Sequence, residues 1–332
     1  MPAVSTIDRL PQHAGQTVTL QGWLYNKRSS KGLHFLVFRD GTGLVQCVVN
    51  QSEVDTATWE AAEALTQESA FRVTGTVVEN ERQIGGMELQ VTGLEVISIA
   101  EDYPITPKEH GVEFLFNNRH LHLRSRRPWA IMRVRNRVVM SIHAFFQEQG
   151  FLQLDPPILT GNAVEGTSTL FELDFFGDPA YLTQSGQLYG EALAMAFGKV
   201  YTFGPTFRAE KSKTRRHLAE FWMIEPEMAF YDLAMNMDLA EAFLARIATD
   251  VLRDCRMELE VLGRDTTALE ATSEGQFPRL SYSEAVELLT SEKTRGMVDA
   301  REAALRDEDA ALRAERKANE AAYGSAKKHE KR

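Results

Sequence analysis

From Thr17 onward the chain alternates. Val18, Leu20 and Gly22 interleave with Thr17, Thr19 and Gln21, and Trp23 follows. Period-two patterning predicts a strand with one buried face. Residues 33–38 and 44–49 predict two more strands, joined by the turn Asp40-Gly41-Thr42-Gly43. A short helix is expected over 59–65. Strands are expected over 71–78 and 87–99, on either side of a Gly85-Gly86 turn.

The pattern then lengthens. Residues 101–128 carry Pro104 and Pro107, few aliphatic positions and a basic end at Arg124, Arg126 and Arg127, which reads as a linker. Pro128 suits a first helical turn, and Ile131, Val134, Val138, Ile142 and Phe145 recur at helical spacing up to Gly150, a left-handed cap. Residues 151–154 predict a strand stopped by Pro156-Pro157. Residues 169–175 and 181–184 predict a hairpin around Asp178-Pro179, and 188–197 a helix ended by Gly198. Two long strands are expected over 200–210 and 217–230. Leu239, Phe243, Ile247 and Val251 mark one side of an amphipathic helix, and Ser281 with Glu284 forms a capping box. From Ala300 the chain is dense in Ala, Arg, Glu, Asp and Lys, which predicts an exposed helix or the start of a helical hairpin.

The fold class is therefore α+β. Five strands with one helix before the fourth match the oligonucleotide-binding (OB) β-barrel, with an SH3-like barrel as the alternative. A mixed domain follows it.

Composition changes this picture little. The 332 residues are 43% hydrophobic and 25% charged, as in ordinary globular proteins. No apolar run approaches a membrane span and residues 1–10 show no secretory pattern, so a cytoplasmic protein without membrane contact is expected. The two cysteines, Cys47 and Cys255, are far apart and lack ligand spacing, which suits a reducing compartment. The net charge of −10 speaks against nucleic acid as a partner. Two local basic clusters speak for it: Lys27, Arg28 and Lys31, and Lys211, Lys213, Arg215 and Arg216. His34, His120, His122 and His143 lack ligand spacing, and no metal ligands are assigned.

The segment 200–230 carries the chemistry. Strand alternation puts Arg208 and Glu210 on one face, and Phe221, Glu225 and Glu227 on one face of the return strand. If the two faces coincide, a guanidinium, an aromatic ring and three carboxylates share a surface fit for a nucleotide. The alternative is a sheet face of paired surface charges.

The wording of this segment is specific. Phe207-Arg208-Ala209-Glu210, a Lys/Ser/Thr loop, then Arg216-His217-Leu218-Ala219-Glu220-Phe221 resembles motif 2 of the class II aminoacyl-tRNA synthetases, in the form of the aspartate/asparagine/lysine subgroup. The helix ending at Gly150, with residues 151–159, resembles motif 1. The resemblance implies amino-acid activation by ATP followed by transfer to tRNA. Arg208 would hold the α-phosphate and Glu210 the adenine amino group, as the catalytic pair. Phe221 would stack on adenine, while Arg216 and His217 reach the outer phosphates and Leu218 lines the nucleotide site. Glu165-Gly166-Thr167 and Gln184-Ser185-Gly186-Gln187 are similar to the subgroup's amino-acid-binding segments, with Arg208, Glu225 and Glu227 completing the set. Aspartate enzymes usually carry Ser-Pro-Gln where this chain has Ser185-Gly186-Gln187, so the wording looks asparaginyl, and Glu225 can accept from a side-chain amide but would repel a carboxylate. Aspartate stays open as the substrate.

The same resemblance makes the barrel an anticodon-binding domain, with Arg28, Phe35 and Gln46 at the positions that contact anticodon bases of tRNA(Asn). Without the resemblance, Phe35 reads more readily as a core residue of its strand. The domains expected are an OB barrel at 1–100, a linker at 101–128, the catalytic domain at 129–296 and a charged helical segment at 297–332, the start of an insertion. Motif 1 implies a homodimer. The third class II motif and its magnesium-holding acidic residues are not found after Phe230, so the Mg2+ ligands are expected outside this sequence. A truncated, poorly active chain is expected, with a tRNA-binding protein of degenerate catalytic half as the rival.

Overall fold

A computed structural model describes residues 2–161, 170–212, 214 and 216–329; for Ile84 and 321–329 it describes the backbone only. The chain divides into two compact units, Met1–Ser125 and Arg126–Arg332.

In the first unit β1 (Ala3–Val4) lies parallel beside β2 (Thr17–Ser30). β2 pairs on its other edges with β3 (Leu33–Arg39) and β5 (Ala70–Glu79). β4 (Leu44–Asn50) joins β3 to β6 (Met87–Ser98), and β6 joins β5, which closes a five-stranded barrel. The closed circuit agrees with the OB expectation. The inward positions are those the alternation gives: Val18, Leu20, Leu24, Leu36, Phe38, Cys47, Phe71, Val73 and Leu89 form the core. Gly22 shares that face because Arg39 crosses it; a Cβ there would lie 2.2 Å from the Arg39 carbonyl oxygen. Helix α1 (Thr56–Ala64) is opened by the Asp55 carboxylate, which accepts from Thr58 N–H at 2.8 Å. Lys27 closes it: Nζ donates to the carbonyls of Glu63 and Leu65, each at 2.6 Å. Lys27 thus satisfies helix-end carbonyls, and burial lowers its pKa.

Residues 101–125 group with the barrel. Gln67 donates to the Ile105 carbonyl at 3.0 Å, Ile105 is buried, and Arg124 reaches Glu68 at 3.0 Å. Two short helices, α2 (Val112–Asn117) and α3 (Arg119–His122), follow.

The second unit begins with α4 (Arg126–Glu148). Its apolar side meets Phe151 and Tyr201 in a core that includes Ile142, Phe145 and Phe146. Gly150 follows at φ +76°, the expected left-handed cap. β7 (Leu152–Gln153) runs parallel to β11 (Lys199–Phe207), and β11 pairs antiparallel with β12 (Glu220–Met228). A second sheet orders β8 (Leu159–Thr160), β10 (Asp178–Leu182) and β9 (Glu172–Phe175) with β10 central. The β9–β10 turn is Phe176-Gly177, at φ 57° and 96°, not the expected Asp178-Pro179, which lie inside β10 opposite Phe175 and Asp174. Two central residues at positive φ match strand twist, and Asp174 accepts from Gly177 N–H at 2.8 Å.

Helix α5 (Gln187–Phe197) packs on β11 and β12. α6 (Leu233–Asp254) packs on α4 through Leu239, Phe243 and Ile247. α7 (Arg256–Leu262) and α8 (Thr267–Ser273) follow, then α9 (Tyr282–Thr290), opened by the Ser281/Glu284 capping box. α10 (Glu292–His329) carries i,i+4 ion pairs such as Arg313–Asp309 at 2.7 Å.

Candidate functional site

The β11–β12 register decides whether the two chemistry-bearing faces coincide. Thr206 lies opposite Phe221, Thr202 opposite Glu225 and Val200 opposite Glu227. Arg208 continues the ladder, its N–H donating to the Ala219 carbonyl at 2.9 Å. Arg208, Phe221, Glu225 and Glu227 therefore share a face. The Arg208 guanidinium carbon sits 5.2 Å from the Phe221 ring centroid, a cation–π contact.

β11 ends at Phe207 and β12 starts at Glu220, both short of the expected limits. The apolar alternation that drives the ladder stops there, and the described residues of the Lys/Ser/Thr-rich connection are exposed apart from the half-buried Ala209. Glu210 is thus in the exposed connection, and strand parity with Arg208 does not reach it. Arg216, His217 and Leu218 are exposed in the same connection, where His217 Nδ1 meets the Thr214 hydroxyl. Lys213 and Arg215 lie outside the described residues.

The Gln184–Gln187 turn is stapled to β12 through one carboxylate. Glu225 accepts from the Ser185 hydroxyl, from Gly186 N–H at 2.8 Å and from Thr202 Oγ1 at 3.2 Å. Thr183 steers the turn from below, donating to the Ser185 carbonyl at 2.8 Å. Gly186 is buried, and a Cβ there would lie 2.6 Å from Thr202 Oγ1. Gln184 is buried, whereas Gln187 is exposed and donates to Glu191 at 3.0 Å. Glu227 stands two residues along from Glu225, and burial together with the charges of Glu191 and Glu225 raises its pKa. That end of the face gains from a bound cation or a proton. Glu165 lies outside the described residues.

The barrel carries a second constellation. His34, Leu36 and Phe38 point inward, so Phe35 and Val37 point outward. Phe35 is half-buried and stands apart from the core cluster, which decides against its reading as a core residue. Arg28 pairs with Phe35 across β2–β3, its guanidinium carbon 4.9 Å from the ring centroid. Gln46 lies opposite Val37 and donates to Glu88 at 2.8 Å. The cluster of Lys27, Arg28 and Lys31 is divided, because Lys27 is committed to α1. Glu88 joins Gln46 to Gln90 and Asn80, three residues that the motifs alone do not mark. The alternation of Glu88 and Gln90 with Leu89 and Val91 was the signal that puts them on the outer face.

His34 and His143 serve packing, while His120 is exposed. His143 Nδ1 meets the buried Tyr201 hydroxyl at 2.9 Å, and His34 stacks on Trp59 at 4.0 Å. Among the described residues no group of three or more His, Cys, Asp or Glu is placed to hold a metal ion.

Known proteins match both the barrel and the chain that follows it. Residues 111–332 match the family described as tRNA synthetases class II (D, K and N), and 18–97 match the OB-fold nucleic acid binding domain. An asparagine–tRNA ligase of Koribacter versatilis is 54% identical over 301 residues, 90% of this chain and 68% of that protein. One of Thermus thermophilus is 55% identical over 285 residues, 85% of this chain and 65% of that protein. The chain thus spans about two thirds of the length of these relatives. The crystal structure of asparaginyl-tRNA synthetase from Pyrococcus horikoshii complexed with asparaginyl-adenylate superposes with a TM-score of 0.79 at 40% identity, covering 88% of this chain and 68% of that one. With the motif 2 hairpin, the barrel and these matches in agreement, the chain belongs to the class II tRNA synthetases of the D, K and N group.

Proposed function

We propose that the chain serves the ATP-dependent ligation of asparagine to tRNA(Asn) through an asparaginyl-adenylate. The observation that carries this reading is the fixing of Glu225. Three donors hold it, Ser185 on Oε1 and Gly186 and Thr202 on Oε2. A carboxylate offers about four lone-pair sites. The spare site on Oε1 suits the amide N–H of an asparagine side chain and repels an aspartate carboxylate.

The rest of the face supports the adenylate. Phe221 to Glu225 spans about 13 Å at strand rise, a length suited to a planar base at one end and an amino acid at the other. Phe221 stacks on adenine under the Arg208 guanidinium, and Arg208 neutralises charge developing on the α-phosphate as the amino-acid carboxylate attacks. Glu210, Arg216, His217 and Leu218 reach the nucleotide from the connection. Glu227, with Glu165, Gln184 and Gln187, attracts the substrate ammonium. No covalent enzyme intermediate is required, and the work is positioning. The magnesium that accompanies ATP finds no ligand group among the described residues, and no step is assigned to it.

The outer barrel face of Arg28, Phe35 and Gln46 takes the anticodon. α4 and β7 form a homodimer surface, where Met132 and Met140 stand half-exposed two turns apart. The reaction belongs to the cytoplasm; no described helix is long and apolar enough to cross a membrane. The test is thermal stabilisation of the chain by non-hydrolysable asparaginyl and aspartyl adenylate analogues. Stabilisation by the asparaginyl analogue is expected. Stabilisation by the aspartyl analogue alone overturns the choice of substrate.

A further inference from the structure

We propose that the cleft between α4, α6, α7 and α8 binds a long-chain carboxylate, an apolar chain with one anionic end. The cleft has a volume of about 760 Å³, within the range of small-molecule sites. Ile131 and Val134 of α4, Leu244 and Val251 of α6, Leu259 of α7 and Leu269 of α8 line it. Val251 and Leu259 form a buried floor at 5% and 7% exposure, while Ile131 and Leu244 leave apolar walls 47% and 48% exposed. Such walls gain free energy when an apolar chain displaces water from them. At 100° per residue, Ile131 and Val134 fall on the opposite side of α4 from Met132 and Met140, and no lining residue belongs to the adenylate face.

The polar groups stand at the rim. Only Arg127, Arg264, Asp265 and Thr272 of the lining have polar side chains. The Thr272 hydroxyl is spent on the Ala268 carbonyl at 2.7 Å, so the interior offers nothing to a polar chain. Arg127, Arg264 and Asp265 are exposed. Asp265 is turned to α8, accepting from the Thr267 N–H at 3.0 Å and the Thr267 hydroxyl at 2.7 Å. Arg127 donates to the Leu262 carbonyl at 3.4 Å. Among the described residues the Arg264 guanidinium takes part in no hydrogen bond or ion pair. Most N–H donors of the two forks are therefore unspent.

Charge complementarity selects the occupant. An apolar trough with two guanidiniums at its mouth fits a ligand that is apolar along its length and anionic at one end, because a carboxylate takes charge-assisted hydrogen bonds from Arg. A neutral alkyl alcohol leaves the arginines without a charge to meet, and a polyanion leaves the walls wet.

The test is calorimetric titration of the full chain with dodecanoate, decanoate and decan-1-ol, each below its micellar or solubility limit. Dodecanoate is expected to bind once per chain and about tenfold more tightly than decanoate, since each buried methylene contributes about fourfold. Decanol is expected to bind about fivefold more weakly than decanoate. The double variant Arg127→Gln, Arg264→Gln brings decanoate down to the level of decanol and leaves decanol unchanged. Leu244→Trp fills the cleft from its exposed wall and abolishes dodecanoate binding; Ile131→Trp decides should Leu244→Trp not fold. The proposal is overturned if dodecanoate does not bind or binds at several sites, or if decanol binds as tightly as decanoate. It is also overturned if the double arginine variant keeps the preference for decanoate, or if a folded tryptophan variant binds dodecanoate like wild type.

Discussion

Gly186 is needed for space, not for backbone freedom. Its φ of −83° is open to any residue. A Cβ would lie 2.6 Å from Thr202 Oγ1 and 3.0 Å from Pro156 Cγ, and Thr202 is one of the donors that hold Glu225. Gly186→Ala must push this neighbour aside. It is expected to cost about 1–3 kcal/mol, the range for overpacking, and to weaken adenylate-analogue binding together with stability. Thermal denaturation and titration of the variant check both, and an unchanged melting point contradicts the packing argument. Part of this was legible beforehand. Alternation placed Phe221, Glu225 and Glu227 on one face of their strand, because a two-residue period survives in any sheet, whereas the register that brings Arg208 to that face came only with the structure. The grip of Ser185 and Gly186 on Glu225 was not legible, since it depends on how a turn before α5 docks on a strand far along the chain. The strand parity drawn for Glu210 did not hold because it was carried past Arg208, whose N–H is the last to bond across the hairpin.

At the scale of elements, α4 and α6 are clamped by a charge that their amphipathic patterns do not announce. Asp250 is fully buried and accepts from the Ser141 hydroxyl, with Arg137 and Arg246 each at 3.0 Å and Arg253 at 2.9 Å. Burial alone would raise its pKa. The Ser141 hydrogen bond, with Arg246 and Arg137, more than offsets it and holds the carboxyl below its ordinary value. A depressed carboxyl contributes stability that is fully present above its unfolded pKa of about 4. That contribution is lost as pH falls through the folded value. Asp250→Ala is expected to lose about 3 kcal/mol at pH 7, with the gap to wild type narrowing below pH 4. Urea unfolding at both pH values checks this, and a gap that widens in acid contradicts it. The helices themselves were readable from Val138, Ile142, Phe243 and Ile247. The clamp was not, because Arg137, Ser141 and Asp250 meet only when the helices cross. The β9–β10 turn was shifted for a related reason: Pro179 is a strong local signal, yet the pairing of Asp178 with Phe175 makes Phe176-Gly177 the turn.

Over the whole molecule, the barrel core and the α4–α6 core are each closed by large apolar side chains, whereas α10 has no buried side chain among those described. Its i,i+4 pairs contribute little to the fold. Removing residues 292–332 is expected to move the unfolding midpoint by less than about 2 °C; calorimetry of the shortened chain checks this, and a larger fall assigns α10 a packing role. The charged composition from Ala300 onward made this helix legible as exposed. The face shared by Arg208, Phe221 and Glu225 is the proposed site for an amino-acid adenylate whose side-chain amide is read by Glu225. The most direct measurement is calorimetric titration of the chain with asparaginyl and aspartyl adenylate analogues, in wild type and in Glu225→Gln. Wild type is expected to bind the asparaginyl analogue at least about tenfold more tightly, and Glu225→Gln to remove that preference. Equal or tighter binding of the aspartyl analogue by wild type would contradict it.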